Sequence, residues 1–459
     1  MRTILIPITS NYVIRSILRS DVMRLLADAP GTRVVFLASG DKQEYYRSEF
    51  SASNVFFDIL PDTERAWTER VFKWVEVACV HTRTAAMIAR SVYTRPGSQE
   101  SGIYRISAYA AKKILRFFGG FAWWRRMLRW KYCLLPGSFF GDIFDRWMPD
   151  LIFAPTMLPR DAAILKEARK RGIKTAGMVL SWDNLYSKTI LRVHPDILMV
   201  HTDGIKEQAE RLGDYPAGKI RVVGIPQFDR IARRTGVTAR DGFMRSVGAD
   251  PAAKLIVYAL SGKAGLDIEY GILEALAHLR HAGAFGTKTA VLVRPYPRYD
   301  LPPEKIRLIK ETWGFCVVPS MAHAGSGRDA WEFDERALDL LANTLYHADV
   351  VITMYSTFFI EGALADKPLI GIAYDGGRKT DFAQSAARFF EWDHLAQIRP
   401  LDGIRLVHSD GELADAVREG LEHPAARAEN RKKIVRQQCQ YTDGMSGART
   451  ARVLLDMLE

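Results

Sequence analysis

Short runs of consecutive apolar residues alternate along the chain with longer stretches whose apolar positions recur every three or four residues. TILIPI at 3–8 is followed by NYVIRSILRSDVMRLLAD and then by TRVVFLAS at 32–39. A continuous apolar run of this length predicts a strand buried on both faces, and the three-to-four spacing predicts an amphipathic helix. Their alternation predicts a parallel sheet covered by helices. The rhythm continues through NVFFDIL, PDLIFAPT, KTAGMVLSW, DILMVHT and KIRVVGIP, with the helical PRDAAILKEARKRG and DGIKEQAERLG between them. It resumes with KLIVYALS, TAVLVRPYP, FCVVPS, HADVVITM and PLIGIAYD.

The pattern predicts an α/β protein of two Rossmann-like parallel-sheet domains facing a cleft. The first spans 1–228, with a helical insertion at about 62–137. A linker at 229–250, carrying Gly, Arg and Asp, leads to a second domain at 251–435, and a helix at 436–459 closes the chain. A length of 459 residues suits two cores better than one.

Ligands of open parallel sheets bind beyond the carboxyl ends of the strands, so the residues that follow each apolar run are the candidates for chemistry. In the first domain these are Ser10 and Asn11, with Arg15 in the helix behind them, and Trp182, Asp183 and Asn184 after KTAGMVLS. A carboxylate there suits a general base on a hydroxyl; an Asp-Asn turn is the plainer reading. In the second domain Ser261, Gly262 and Lys263 follow the first strand, and Arg294 and Tyr296 follow the second. Ser356 and Thr357 follow HADVVITM, with Glu361 one turn along the next helix. Small and hydroxyl residues at a helix start, with arginine near, suit a diphosphate, and Glu361 suits a ribose diol. A helix cap with a surface glutamate explains the same letters.

Composition narrows the classes. Four cysteines lack C-x-x-C spacing and ten histidines form no H-x-x-x-H pair, so neither a metal nor another cofactor is expected. The N-terminus has no signal-like apolar stretch and no run approaches a spanning helix. A cytoplasmic protein is expected, at the inner face of the plasma membrane if the insertion meets lipid. The net charge of +11 is concentrated: from Ser101 to Gly141 there are eight Lys or Arg and no Asp or Glu. Within that segment FFGGFAWWRRMLRWKY, read as a helix, gathers Arg125, Arg126 and Arg129 on one side of an apolar arc, with Trp123, Trp124 and Trp130. An acceptor-side packing helix and a contact with an anionic membrane remain open. No nucleic-acid motif accompanies the charge, and nucleic acid is not expected as a partner.

Three segments carry a family resemblance. HPDILMVHTDGIKEQAERLGDYPAGKIRVVGIPQFD, ADVVITMYSTFFIEGALADKPLI and YTDGMSGARTARVLLDML resemble GT-B nucleotide-sugar transferases, in the branch of CDP-glycerol glycerophosphotransferases and capsule polysaccharide transferases. The resemblance implies a nucleotide-diphosphate donor on the second domain and a glycan or lipid-linked acceptor on the first. It implies Ser356, Thr357 and Arg294 on the diphosphate, Glu361 on the ribose, and no metal. The family pattern R-x-H-P reads R-P-Y-P here, with Tyr296 in the histidine position. A tyrosine donates a hydrogen bond but carries no positive charge, which bears on CDP-glycerol as donor. A nucleotide-sugar 2-epimerase on the same fold, and a non-catalytic basic binding protein, are the alternatives.

Overall fold

The computed structural model describes residues 1–63, 66–95, 101–137, 139–262, 266–325 and 330–459. They fall into two compact units: 1–229 with 324–330 and 438–459, and 230–323 with 331–437.

The first unit is built on a seven-stranded parallel sheet: β1 (Arg2–Pro7), β2 (Thr32–Ala38), β3 (Val55–Ile59), β4 (Leu151–Ala154), β5 (Lys174–Met178), β6 (Ile197–Val200) and β7 (Ile220–Val222). The order is β3-β2-β1-β4-β5-β6-β7, so the chain reverses its direction of progress between β1 and β4. In a doubly wound sheet that reversal opens the crevice in which ligands bind. Ile4, Leu5 and Ile6 are fully buried, as a strand covered on both faces requires.

Helices cover the sheet, and four of them start at a capping hydroxyl. Ser20 accepts from the Val22 N–H at the start of α1 (Asp21–Asp28). The insertion contributes α2 (Trp67–Ala78), α3 (Arg83–Tyr93), α4 (Gly102–Gly119) and α5 (Ala122–Leu134). Thr82 caps α3 and Ser101 caps α4. Between strands lie α6 (Pro159–Lys170) and α7 (Asp203–Gly213), the latter capped by Thr202.

The insertion has its own small core around Cys79, Val80, Leu128 and Ile190. A buried ionic network ties it to the sheet layer. Glu69 of α2 meets Lys166 of α6 at 3.0 Å and Arg192 at 3.0 Å, and Glu76 meets Arg192 at 2.7 Å and the Thr189 hydroxyl at 2.6 Å. Tyr132 of α5 donates to Glu69 at 2.9 Å, and burial raises its phenol pKa. Two acids and two bases balance, which is the condition for carrying such charges inside. The last turn of α4 passes so close to Cys79 that a β-carbon on Gly119 would fall 1.8 Å from the Cys79 carbonyl oxygen. Only glycine allows that crossing.

The basic stripe expected on α5 is divided by the fold. Arg125 and Arg129 are interior, both donating to Asp214 at 2.9 Å. Arg125 also donates to the Gly119 carbonyl, and Arg129 to the carbonyls of Ile190, Leu191 and Gly213. Trp124 turns inward and its indole N–H meets the Cys79 sulfur at 3.4 Å. These three therefore leave the outward-facing surface: Asp214 and a ring of carbonyls satisfy the two buried guanidinium groups, and the Cys79 sulfur meets the Trp124 indole. Arg126, Trp123 and Trp130 remain exposed.

The C-terminal helix α11 (Ser446–Asp456) belongs to the first unit, where Ala451 and Leu454 join the core of Ile4, Ile6 and Val22. Its N-terminus is met by Asp229, which accepts from the N–H groups of Ser446 and Gly447 at 3.0 and 2.7 Å. A carboxylate there satisfies both orphan donors and the positive end of the helix.

The second unit carries a six-stranded parallel sheet of β8 (Lys254–Ala259), β9 (Thr289–Arg294), β10 (Cys316–Val317), β13 (Val350–Thr353), β14 (Leu369–Ile372) and β15 (Ile404–Val407). A short antiparallel pair, β11 (Ala322–His323) and β12 (Trp331–Glu332), lies apart from it. The order β10-β9-β8-β13-β14-β15 repeats that of the first unit, with the reversal between β8 and β13. The segment expected as a linker holds α8 (Arg240–Ser246), with Phe243 and Met244 buried, and falls within the second unit from Arg230 on. The helices α9 (Leu266–His281) and α10 (Phe358–Leu364) follow β8 and β13. Strand β15 has no counterpart in the sequence reading. As an edge strand it exposes Arg405 and does not form a continuous apolar run.

Candidate functional site

In the first unit the reversal point is organised by Asp161 on the first turn of α6. One carboxylate oxygen accepts from the Thr9 hydroxyl at 2.8 Å, beyond β1. The other accepts from the Thr156 hydroxyl at 2.6 Å, the Thr156 N–H at 2.7 Å and the Met157 N–H at 3.0 Å, beyond β4. Asp161 is wholly buried, and burial raises its pKa even though four donors favour the charged form. This residue fixes the two loops flanking the crevice, and sequence reading missed it; the only signal was an acid two residues into a helix that starts with proline.

The expected residues lie around that point. Ser10 accepts from the Tyr12 N–H, and Asn11 is buried and accepts from Lys42 at 3.3 Å. Arg15 is half-buried in a π-type turn, Ile14–Leu18. After β5, Trp182 and Asn184 are buried, and Asn184 donates to the Thr156 carbonyl at 3.4 Å, joining the β5 loop to the β4 loop. Asp183 is half-buried. It accepts from the Ser181 hydroxyl at 2.7 Å and pairs with Lys188 at 2.9 Å. The carboxylate is thus held in a set orientation beside the reversal point.

In the second unit Ser261 and Gly262 leave β8 at its reversal point. Gly262 has φ +105°, a region that a side chain makes costly, and a β-carbon there would meet the Tyr296 ring at 3.7 Å. Tyr296 therefore lies over the Gly262 backbone and stacks on Tyr299 with ring centroids 5.7 Å apart. Lys263 lies outside the described residues. Arg294 closes β9, buried, and its carbonyl accepts from the Leu260 N–H at 2.9 Å.

Beneath Ser261 lies Glu269 of α9. Its carboxyl accepts from the Ser261 N–H at 3.0 Å and hydroxyl at 2.9 Å. Complete burial pushes its pKa up to about 8, the two donors offsetting only part of that effect. Sequence reading missed Glu269, which looked like one acid among several on an amphipathic helix. Across the reversal, the Thr353 hydroxyl donates to the Ala259 carbonyl at 2.8 Å. Ser356 accepts from the Phe358 N–H at 3.1 Å at the start of α10; Thr357 is exposed and Glu361 buried. Tyr355 is stacked on Phe389 with centroids 3.8 Å apart. Beyond β14, Asp375 accepts from the Ala386 N–H at 2.7 Å and holds the loop that carries Arg378 and Lys379. Paired glycines after an apolar run were the signal for that loop.

The second unit thus carries Gly262, Arg294, Ser356 and Thr357 around its reversal point, small, hydroxyl and basic groups of the kind that accommodate an anionic ligand, whereas the first unit carries the carboxylates Asp161 and Asp183 among hydroxyls. Among the described residues no group of three or more His, Cys, Asp or Glu is arranged to hold a metal ion.

Residues 192–456 match the family model of CDP-glycerol:poly(glycerophosphate) glycerophosphotransferase. No curated protein matches the chain in sequence. Among solved structures, the chain is similar to UDP-GlcNAc 2-epimerase from Neisseria meningitidis bound to UDP-GlcNAc. The TM-score is 0.53 and the identity 12%, over 99% of this chain and 100% of that one. A putative UDP-N-acetylglucosamine 2-epimerase from Listeria monocytogenes gives a TM-score of 0.55 and 12% identity, over 98% and 95%. A glycosyltransferase from Rickettsia africae gives 0.50 and 9%, over 100% and 99%. At these identities the likeness is one of fold, the two parallel α/β units of the GT-B class.

Proposed function

This chain belongs to the CDP-glycerol:poly(glycerophosphate) glycerophosphotransferase family, and from that membership we infer that it moves a glycosyl or glycosyl-like unit from a nucleotide-diphosphate donor to a surface-polysaccharide or lipid-linked glycan acceptor. The observation that carries this reading is the family match, which spans the whole second unit and the β6–β7 end of the first.

In this reading the second unit holds the donor. The Gly262 backbone, beyond a Ser261 whose own N–H and hydroxyl are held by Glu269, and the hydroxyls of Ser356 and Thr357 offer donors to the diphosphate, and Arg294 meets its charge, so that the nucleotide leaves as a stabilised anion. Tyr296 adds a neutral donor beside them, and Glu361 takes the ribose. The first unit supplies Asp183 as general base: it takes the proton of the acceptor hydroxyl while that oxygen bonds to the donor's reacting carbon and the bond to the nucleotide diphosphate breaks. Ser181 and Lys188 keep the carboxylate in place. Ser10, Asn11, Arg15, Trp182 and Asn184 line the acceptor side.

The test is calorimetric titration with UDP, CDP, GDP, dTDP and CMP, followed by turnover with the nucleotide sugar of the base that binds. Arg294→Ala and Glu361→Gln are expected to weaken the nucleotide at least tenfold. Asp183→Asn is expected to keep it and to lower turnover on the order of a hundredfold. Absence of binding to every nucleotide refutes the donor reading. Epimerised nucleotide sugar released with no acceptor present establishes the epimerase instead.

A further inference from the structure

The amino edge of the first sheet carries a cavity that the transfer reaction does not use. Its volume is about 230 Å³, and Arg169, His194, Asp196, Tyr215 and Lys219 line it together with two prolines. Strands β5, β6 and β7 run parallel; Asp196 immediately precedes β6 and Lys219 immediately precedes β7, so both stand at the edge opposite the crevice. Arg169 reaches the same edge from the last turn of α6. Hydrogen bonds fix the wall. The Tyr215 hydroxyl donates to the Pro195 carbonyl at 2.6 Å, and His194 Nε2 lies 2.9 Å from the Gly213 carbonyl. A carbonyl only accepts, so the imidazole proton sits on Nε2 and Nδ1 is left as an acceptor. Burial, with Arg129 nearby, pulls the His194 pKa down to about 4, and the ring is neutral near pH 7. The rings of His194 and Tyr215 lie 4.9 Å apart.

The charges of this lining are not balanced within the protein. Arg169 and Lys219 are exposed, and among the described residues neither side chain has a hydrogen-bond or ion-pair partner. Asp196 commits Oδ2 to the Thr175 N–H at 2.9 Å and hydroxyl at 2.8 Å, which leaves Oδ1 as an acceptor. Beside His194 the single carboxylate of Asp214 already meets two guanidinium groups, Arg125 and Arg129. Arg169 and Lys219 therefore add to a positive surplus that Asp196 alone does not cancel. A concave, cation-rich surface concentrates anions, and a guanidinium with an ammonium suits a phosphate group. The acceptors Asp196 Oδ1 and His194 Nδ1 ask for hydroxyl donors on the same ligand, which a sugar or polyol supplies. The volume falls below the roughly 300–1,000 Å³ of pockets that enclose drug-sized ligands, so it suits a sugar phosphate better than a nucleotide diphosphate. We propose that this cavity is a second ligand site for the phosphomonoester of a sugar or short polyol, with Arg169 and Lys219 on the phosphate and Asp196 and His194 on hydroxyls. A ligand held there stays outside the reaction, because the donor and acceptor residues stand at the other ends of the strands.

The experiment is calorimetric titration of the full chain with glucose 6-phosphate, glucose and inorganic phosphate. Wild type is compared with Arg169→Ala/Lys219→Ala and with Arg294→Ala, which removes a cation from the second unit. Wild type is expected to bind glucose 6-phosphate with a Kd on the order of 1 mM or tighter, at least tenfold more tightly than glucose or inorganic phosphate. The double variant is expected to lose at least tenfold of that affinity, and Arg294→Ala to keep it. Nucleotide titration of the double variant is expected to match wild type, which separates failure of this site from failure of the donor reading. A measurement on the wild type needs no variant to fold: acetylation of Lys219 by acetic anhydride, read by peptide mass spectrometry, is expected to slow at least threefold in saturating glucose 6-phosphate. Absence of wild-type binding overturns the proposal, as does a Lys219 acetylation rate that the ligand leaves unchanged. Equal affinity of wild type and double variant overturns it by placing the sugar phosphate elsewhere. Equal affinity for glucose 6-phosphate and inorganic phosphate overturns it by reducing the cavity to an unselective anion site.

Discussion

Glu269 offers a quantitative check on the second unit, because one buried carboxyl there should leave a signature in stability against pH. The group is fully buried beneath Ser261, and burial lifts its pKa from 4.5 to about 8. Below pH 4.5 folded and unfolded chains both carry the proton, so the contribution of Glu269 is fully present. As pH rises, the unfolded chain releases the proton near 4.5 while the folded chain holds it until about 8, so stability falls through that window and levels off above it. At about 1.4 kcal/mol per pH unit, the loss between 4.5 and about 8 comes to roughly 5 kcal/mol. Glu269→Gln keeps an acceptor for the Ser261 N–H and hydroxyl and removes the titration. Urea unfolding of wild type and variant, followed by circular dichroism at half-unit steps from pH 5 to 9, gives the stability difference at each pH. Two units of this size need not unfold together, so the transition that responds to the substitution is the one compared. The variant is expected to gain on wild type steadily up to about pH 8 and to hold a constant lead beyond. A difference that stays within about 0.5 kcal/mol from pH 5 to 8 refutes the assignment of a neutral, buried Glu269.

Two further substitutions test the scaffold of the first unit. Asp161→Ala strands two N–H groups and two hydroxyls beside the β1–β4 reversal. It should cost about 3–5 kcal/mol in denaturant unfolding, and a cost under about 1 kcal/mol removes Asp161 as the organiser of those loops. Asp214→Ala leaves Arg125 and Arg129 buried without their anion. It should cost about 3–5 kcal/mol and open the 122–134 helix to limited proteolysis, whereas unchanged protection shows that the carbonyls alone hold the arginines.

Local pattern carried much of the architecture. A strand buried on both faces must be apolar at consecutive positions, so β1, β2, β8 and β13 announced themselves in TILIPI, TRVVFLAS, KLIVYALS and HADVVITM. Strand β15 did not, because it is four residues long and the exposed Arg405 interrupts its apolar run. The positions of Ser10, Asn11, Asp183, Ser261 and Ser356 just beyond strands were legible for the same reason, since a strand's end in sequence is also its end in space. Their partners were not. Asp161 is 152 residues from Thr9, and Glu269 is one of several acids in its region until the fold places it under Ser261.

The arginines of FAWWRRMLRWKY mark the boundary between the two kinds of information. Helical periodicity determines that Arg125, Arg126 and Arg129 leave the helix within one broad arc. Which of them face water depends on Asp214, eighty-five residues beyond Arg129, and on carbonyls of the chain around Ile190 and Gly213. In the same way G-x-P-x-x-D reads as a motif, while the work of Asp229, capping a helix 217 residues later, exists only once the last segment returns to the first unit. Sequence by itself determined the elements and their order, because backbone pairing and burial impose short periods on the letters. Tertiary structure alone decided which charges are interior, because the energy of a buried charge is set by groups that approach it through space.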